Sequence, residues 1–217
     1  MRNAMNILVS DFDGTLTEHD FFELVRRRWP LPPEQDPWNQ YWAGEITHFE
    51  ALARIFAGIR SRPGELEAMA EATGLDPNVG KAVQNLKDGG WEVVIASAGC
   101  GWYIERLLKN AGVAVKVHTN PGSIGSQGEL LMTLPYKDKF FSDTTGVNKL
   151  AVVQDAMERA ERVAFVGDGR PDLEPALLVP PQLRFAHGWL AQELEARGES
   201  FQPFQHWSEI AEILTRC

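Results

Sequence analysis

Cysteine is nearly absent from this sequence. Two occur, Cys100 and Cys217, too few for a disulfide framework and wrongly spaced for a zinc site, as expected of a protein kept in a reducing compartment. Long apolar runs are missing as well: nothing approaches the roughly 18 consecutive apolar residues that a membrane span requires. The first apolar stretch, residues 5–9, is short, follows Arg2 and runs into Asp11 and Asp13. This pattern does not read as a signal peptide, and a cytoplasmic protein is expected. Basic charge is in deficit, with 21 Lys and Arg against 30 Asp and Glu for a net charge of −9. The chain therefore lacks the basic face that nucleic acid or an anionic membrane needs. Its one basic run, Arg26, Arg27 and Arg28, reads as the solvated end of a helix. Heptads, internal repeats and low-complexity tracts are absent, and a monomer and a homodimer fit equally well. An acidic chain can still accept a small anionic substrate, because a bound divalent cation reverses the local field.

What is present is an ordinary globular composition, 217 residues of which 44% are apolar and 24% charged. At roughly 1.4 domain lengths, this suits one compact core with a small appendage. Residues 5–10, 91–96, 113–117, 163–166 and 182–186 are short, apolar, mostly β-branched runs that read as buried strands. Segments of helical period lie between them at 77–88, 102–110, 148–160 and 172–178. Strands alternating with helices predict βαβ units, hence an α/β fold with a parallel sheet covered on both faces. The stretch 122–128, GSIGSQG, reads as a turn between two short antiparallel strands. The alternation breaks between Glu18 and Asp76, where 20–28, 33–42, 47–59 and 63–72 carry helical patterns separated by Pro and Gly turns. Such an insertion leaves the sheet at its carboxyl edge, where open α/β folds bind ligands, and is placed to serve as a lid.

The end of the first predicted strand carries Asp11-Phe12-Asp13-Gly14-Thr15-Leu16-Thr17. Side chains two apart in an extended segment point the same way, so Asp11 and Asp13 converge on the crevice while Phe12 turns from it. Two converging carboxylates repel unless they share a cation or one stays protonated, which suits a Mg2+ site beside an acid/base group. Gly14 permits a close backbone approach or a positive φ, and Thr15 offers a hydroxyl to an anion. A lone Asp-x-Asp would read instead as an acidic surface turn; the strand and the Gly-Thr that follow set this one apart. Ser97, Ala98 and Gly99 close the second predicted strand, with small residues whose N–H groups can face a phosphate near a helix start. Asp168 and Asp172 flank the sequence Gly169-Arg170-Pro171 after a later strand. A helix cap would explain Asp172 alone but not Asp168. Lys149 opens a predicted helix, where the dipole disfavours it, so it is either incidental or a cation the crevice needs.

With these four pieces in this order, the chain resembles the haloacid-dehalogenase superfamily of phosphatases over nearly its whole length. The resemblance implies a Rossmann-like three-layer parallel sheet built from 1–17 and 77–217, with 18–76 as a small all-helical cap of the type inserted after the first strand. It implies that Asp11 is a nucleophile forming an aspartyl-phosphate and that Asp13 protonates the leaving oxygen and then activates water. It further implies that Asp11, the Asp13 carbonyl and Asp168 hold Mg2+ with Asp172 acting through water, and that Ser97 and Lys149 fix the phosphoryl oxygens. Gly14, Thr15, Asp20, Arg54, Ala98, Gly99 and Arg170 are the candidate contacts to the substrate, a small phosphorylated metabolite. Asp13 separates the chain from dehalogenases, whose leaving group needs no proton.

Within the superfamily, phosphoserine phosphatases carry a glutamate at the position of Asp20, Ser-Gly-Gly where this chain has Ser97-Ala98-Gly99, and an asparagine at the position of Pro171. The 2-hydroxy-3-keto-5-methylthiopentenyl-1-phosphate phosphatases of methionine salvage are more similar. They share the aspartate at position 20, the spacing from Lys149 to Asp168, the pattern around Arg54 and Gly58, and much of the C-terminal part. Residues 134–148 lack the cysteine-rich stretch that some of those proteins carry. An enol-phosphate is the substrate this implies. Phosphoserine, phosphocholine and pyridoxal phosphate are alternatives, as are a phosphoryl transferase and a non-catalytic phosphate sensor on the same fold. The cap aromatics Trp29, Trp38, Tyr41 and Trp42 read either as the core of the insertion or as an apolar wall for a substrate tail.

Overall fold

The structure is a computed structural model that describes residues 5–216, so Arg2 and Cys217 lie outside the described residues. The chain runs β1 (Asn6–Ser10), α1 (Phe21–Arg28), α2 (Pro37–Trp42), α3 (His48–Ala57), α4 (Glu65–Glu71), α5 (Val79–Asp88), β2 (Trp91–Cys100), α6 (Gly101–Asn110) and β3 (Lys116–Asn120). It continues through β4 (Gly122–Ile124), β5 (Leu130–Met132), β6 (Phe141–Ser142), β7 (Gly146–Val147), α7 (Lys149–Arg159), β8 (Arg162–Gly167), α8 (Leu173–Leu178), β9 (Arg184–Ala186), α9 (Gly188–Ala196), β10 (Gln202–Pro203) and α10 (Trp207–Thr215). Six strands form one sheet in the order β10-β9-β8-β1-β2-β3. Every pairing in it is parallel.

The strands are apolar on both faces because both faces are covered. Leu8, Val93, Ile95, Ala164 and Val166 point into one cluster, where α5, α6 and α10 pack, while Ile7, Val9, Val94, Val163 and Phe165 point into the other, under α7, α8 and α9. A sheet between two helical layers, with β1 central, has its strand order reverse between β1 and β8. Crevices at such switch points are where ligands bind. No helix among the described residues is long and apolar enough to cross a membrane.

Helices α1 to α4 fill the interval where the alternation of strand and helix breaks. Their apolar faces, including Phe21, Val25, Leu52 and Phe56, join the same cluster as α5 and α6 rather than forming a separate core. Thr47 starts α3 with a full capping box, its hydroxyl accepting from the Glu50 N–H and the Glu50 carboxylate accepting from the Thr47 N–H. The chain enters and leaves this insertion through a narrow neck. Glu18 N–H donates to Gly74 O at 3.0 Å, His19 N–H to Thr73 O at 2.9 Å and Asp76 N–H to Leu16 O at 2.9 Å. Farther out, Phe49 N–H donates to Thr144 O at 2.9 Å and the Ser61 hydroxyl to Gly128 O at 2.6 Å, seating the insertion on loops of the core.

Several boundaries differ from the sequence reading. The helix expected from residue 33 begins at Pro37, because Asp36 is its N-cap, accepting from the Trp38 N–H at 2.9 Å, and Pro37 occupies the first turn. The strand expected at 113–117 is β3, three residues later: Val113 N–H turns back to Leu108 O, finishing α6. Only Arg184–Ala186 of the run expected from 182 is strand, after a single 3-10 turn. The strand expected to stop at Ala96 continues to Cys100, with an irregular register between Ala96 and Cys100. Ser97, Ala98 and Gly99 therefore sit in extended chain ahead of a helix that starts at Gly101. Of the GSIGSQG stretch expected to be a turn, the first three residues are β4, and the turn to antiparallel β5 spans 125–129.

Candidate active site

Asp11 directly follows β1, and its N–H donates to Val166 O of β8 at 3.0 Å, which holds the strand end in register with its neighbour. Phe12 is fully buried against Tyr103, so the flanking carboxylates turn to the opposite side. Gly14 has φ +67°, and a Cβ there would lie 2.6 Å from Asp168 Oδ2. Glycine is thus required twice over, by conformation and by contact. The Gly14 carbonyl in turn meets His187 Nε2 at 2.5 Å.

Lys149 is the hub of the site. It is buried at the start of α7 with its Nζ 2.8 Å from Asp11 Oδ1 and 2.6 Å from Asp172 Oδ1. Its burial alone would disfavour the charge, but Asp11 and Asp172 outweigh that and raise its pKa. The carboxylate oxygens of Asp11, Asp168 and Asp172 lie within 4.8 Å of one another. Asp172 has no exposure; besides Lys149 it accepts the N–H groups of Asp168 at 3.2 Å and Gly169 at 2.9 Å. Burial and the neighbouring Asp172 push both Asp11 and Asp168 well above the usual carboxylate range, against the pull of Lys149. One ammonium among three acids leaves a deficit of positive charge, and three hard oxygen donors at that spacing suit a divalent cation such as Mg2+.

Asp13 faces the same cavity in a different environment. The Tyr103 hydroxyl donates to its Oδ2 at 2.5 Å and the Phe21 N–H to its Oδ1 at 3.2 Å, and its carboxylate is not part of the three-acid cluster. Burial raises its pKa to about 6, with the Tyr103 and Phe21 hydrogen bonds restraining the rise. Asp20, at the N-cap of α1, is pushed up to about 8, first by burial and then by Asp13 and Asp11.

Above this acidic floor the cavity, about 280 Å³ in volume, is walled by the insertion. Phe22, Trp38, Tyr41, Trp42, Leu52 and Phe56 supply its apolar sides. The Trp38 ring lies 4.2 Å from the Phe22 ring, tilted by 31°, and His48 stands edge-on to both Trp38 and Tyr41. Burial, with Lys149 adding to it, pulls the His48 pKa down to about 4, so the ring is neutral at physiological pH. Arg170 closes the rim between Trp42 of the insertion and Trp189 of α9, its guanidinium carbon 3.9 Å and 5.2 Å from the two ring centroids.

The structure gathers Asp11, Asp13, Asp20, Ser97, Ala98, Gly99, Lys149, Asp168 and Arg170 around the one cavity. It corrects three expectations. Arg54 lies on the exposed face of α3, bonded to Gln40 Oε1 at 3.1 Å and outside the cavity, because its position in the helix is opposite Leu52 and Phe56. The Thr15 hydroxyl is spent on Asp168 Oδ1, at 2.9 Å, rather than being offered to an anion. The Gly99 N–H is already engaged by the Ser97 hydroxyl at 3.0 Å rather than free for a phosphate, although both residues line the cavity. Trp29 departs from the other aromatics and lines a separate groove with Arg26 and Pro30.

Compared with known proteins, residues 8–176 match the family described as haloacid dehalogenase-like hydrolase. The chain belongs to that family. Among its relatives is a 2-hydroxy-3-keto-5-methylthiopentenyl-1-phosphate phosphatase of Microcystis aeruginosa, 25% identical over 210 residues that span 96% of this chain and 97% of the relative. A HAD family hydrolase from Salmonella enterica serovar Typhi has the same fold, with a TM-score of 0.71 at 18% identity over 98% of this chain and 72% of that one. So does a substrate-bound phosphoserine phosphatase, with a TM-score of 0.67 at 15% identity over 97% and 99% of the two chains. For this haloacid dehalogenase-like hydrolase, sequence reasoning missed Tyr103, His48, His187 and Trp189. Tyr103 sits at an ordinary helical core position and His48 is the half-buried first residue of α3, places where an aromatic or histidine carries no local mark of a site. His187 and Trp189 lie beyond the last motif.

Proposed function

The chain is a hydrolase by family, and we infer that it is a Mg2+-dependent phosphomonoesterase acting on a small phosphorylated metabolite through a covalent aspartyl-phosphate. The observation that carries this reading is the contrast between two carboxylates two residues apart. Asp11 is tied to Lys149 within the acid cluster, while Asp13 stands outside that cluster, its two oxygens held by the Tyr103 hydroxyl and the Phe21 N–H. A carboxylate beside the ammonium, where the phosphoryl charge would be neutralised, suits attack on phosphorus, and one outside that cluster is placed to carry a proton. Residues 18–76 act as the cap over a core formed by 1–17 and 77–217.

In the first half-reaction an Asp11 oxygen attacks phosphorus, the P–O bond to the leaving group breaks, and Asp13 gives its proton to the departing oxygen. In the second half, Asp13 takes a proton from water as the water oxygen attacks the aspartyl-phosphate, releasing phosphate and restoring Asp11. Lys149 and the Ser97 hydroxyl hold the phosphoryl oxygens, and Asp172 fixes Lys149 and the Asp168 loop. Asp11, the Asp13 carbonyl and Asp168 would hold Mg2+, with Asp172 acting through water; the bound ion would neutralise charge on the phosphoryl group.

The walls favour an apolar tail on the ester. A thioether-bearing enol-phosphate fits walls of Trp, Tyr and Phe, whose edges pair well with sulfur, and the name of the Microcystis relative supports the same substrate. Asp20 and Glu23 at the cavity would instead favour an ammonium-bearing ester such as phosphocholine or phosphoserine. The test is phosphate release from these three esters, pyridoxal phosphate and acetyl phosphate, with and without Mg2+, using Asp11→Asn as the blank. Mg2+-dependent release selective for the enol-phosphate is expected. Release that Asp11→Asn retains would overturn the covalent mechanism, and transfer of phosphate to added alcohols would identify a transferase.

A further inference from the structure

We propose that Tyr103 is a positioning residue for the proton transfer, holding the Asp13 carboxyl in the one orientation from which it can reach the leaving-group oxygen. The proposal rests on the assignment of Asp13 as the acid given above. Tyr103 is fully buried, with its hydroxyl donating to Asp13 Oδ2 at 2.5 Å, and the other oxygen is held by the Phe21 N–H at 3.2 Å. With both oxygens engaged, the carboxyl plane cannot rotate without breaking a hydrogen bond. The two donors are themselves coupled, because the Tyr103 ring lies parallel to the Phe21 ring at a centroid distance of 4.2 Å and an interplanar angle of 19°. Tyr103 belongs to α6 of the core and Phe21 to the first helix of the cap. The acid is therefore clamped at the junction of cap and core.

A third feature follows from this clamp. A Cβ on Gly99 would overlap the Tyr103 hydroxyl and come within 2.5 Å of Asp13 Oδ2. The residue at 99 is thus kept bare by the tyrosine–aspartate contact as well as by any ligand. Neither Tyr103 nor Gly99 supplies the proton. During P–O cleavage the proton passes from Asp13 to the ester oxygen, and the Tyr103 hydroxyl keeps its own hydrogen throughout, donating to whichever protonation state Asp13 holds.

A positioning role differs from a packing role in its dependence on the leaving group. Protonation matters most for a poor leaving group and little for a good one, so loss of aim should fall on the poor one alone. The experiment measures single-turnover phosphorylation of the full chain, with Mg2+, by a series of substituted phenyl phosphates running from p-nitrophenyl to p-methylphenyl. Asp13→Asn is the control and should show the steepest dependence on leaving-group acidity. Tyr103→Phe keeps the ring and its stacking, and is expected to slow p-methylphenyl phosphate about 10-fold while leaving p-nitrophenyl phosphate within about 2-fold. Gly99→Ala, which pushes the hydroxyl and the carboxyl apart, should steepen the same slope. A uniform decrease across the series in Tyr103→Phe and Gly99→Ala, with Asp13→Asn still steep, would overturn the positioning role alone. A flat dependence in Asp13→Asn would overturn the assignment of the acid itself.

Discussion

The floor and the walls of this cavity are built on opposite principles. On the floor nearly every polar atom has a partner: Lys149 bridges Asp11 and Asp172, Thr15 holds Asp168, and Tyr103 with Phe21 holds Asp13. In the walls, aromatic rings meet at tilted and edge-to-face angles, and the polar groups among them are fewer. His48 Nδ1 is buried without a partner, and Arg170 is gripped through its faces by two tryptophans. A floor fixed by hydrogen bonds and glycine backbone is preorganised for one reaction. Walls made of adaptable ring contacts tolerate change in what they enclose, which suits one chemistry applied to different esters.

The largest effect is expected at Asp11, the proposed nucleophile. Asp11→Asn should lower turnover by at least about 10³-fold on every ester alike, with folding retained, as read by phosphate release and circular dichroism. Next in size is Lys149→Met, which leaves Asp11 and Asp172 buried without their cation. In the presence of a chelator it should destabilise the protein by about 3–5 kcal/mol in urea unfolding, since removing one partner strands the other charges. A loss below about 1 kcal/mol would mean that the floor is not held by this pair. Trp38→Ala tests the walls: KM for a tail-bearing ester should rise about 10-fold while acetyl phosphate, which has no tail, stays within about 2-fold. An equal change for both would erase the distinction between floor and walls.

The smallest expected effect sits where the two regions meet, at Asp20. Its pKa is raised to about 8, so the folded chain prefers the protonated carboxyl, and stability drawn from it is complete below the unfolded pKa near 4 and lost as pH rises toward 8. Asp20→Asn should therefore raise the melting temperature of the metal-free protein at pH 8, with the gain shrinking to nothing by pH 4. A gain that grows on acidification would reverse the sign of the assignment.

The floor was legible in the sequence because local rules make it. Asp11 and Asp13 share a side by the two-residue period of extended chain, Gly14 is dictated by its positive φ, and Lys149 opens a helix against the dipole for the sake of two acids. The parallel sheet followed from short, mostly apolar strand runs alternating with segments of helical period. The walls were legible only in part: Trp38, Tyr41 and Trp42 could be read as a wall or as a core, but members also come from α1, α3 and α9, and their convergence is set by how helices pack rather than by spacing. Trp29 and Trp38 look alike in the sequence, yet one lines a separate groove. Arg54 and Arg170 were both candidates, Arg170 the better placed because it lies inside the last motif, and the helix face of one and the stacking of the other separate them. The two-residue strand β10 offers no pattern at all, and Tyr103 is indistinguishable from a core aromatic until its hydroxyl is located.

The neck through which the helical insertion joins the core has a consequence for chain entropy. Glu18 and Gly74 are hydrogen-bonded, as are His19 and Thr73, so the core meets the whole intervening run as if it were the tip of a hairpin. Loop-closure entropy grows only with the logarithm of length, about 0.6 kcal/mol for each doubling. Once the neck is tied, helices can therefore be added beyond it, shortened or exchanged with little effect on the closure term of the sheet beneath. The chain is thermodynamically free to rebuild the aromatic walls while the acidic floor stays fixed.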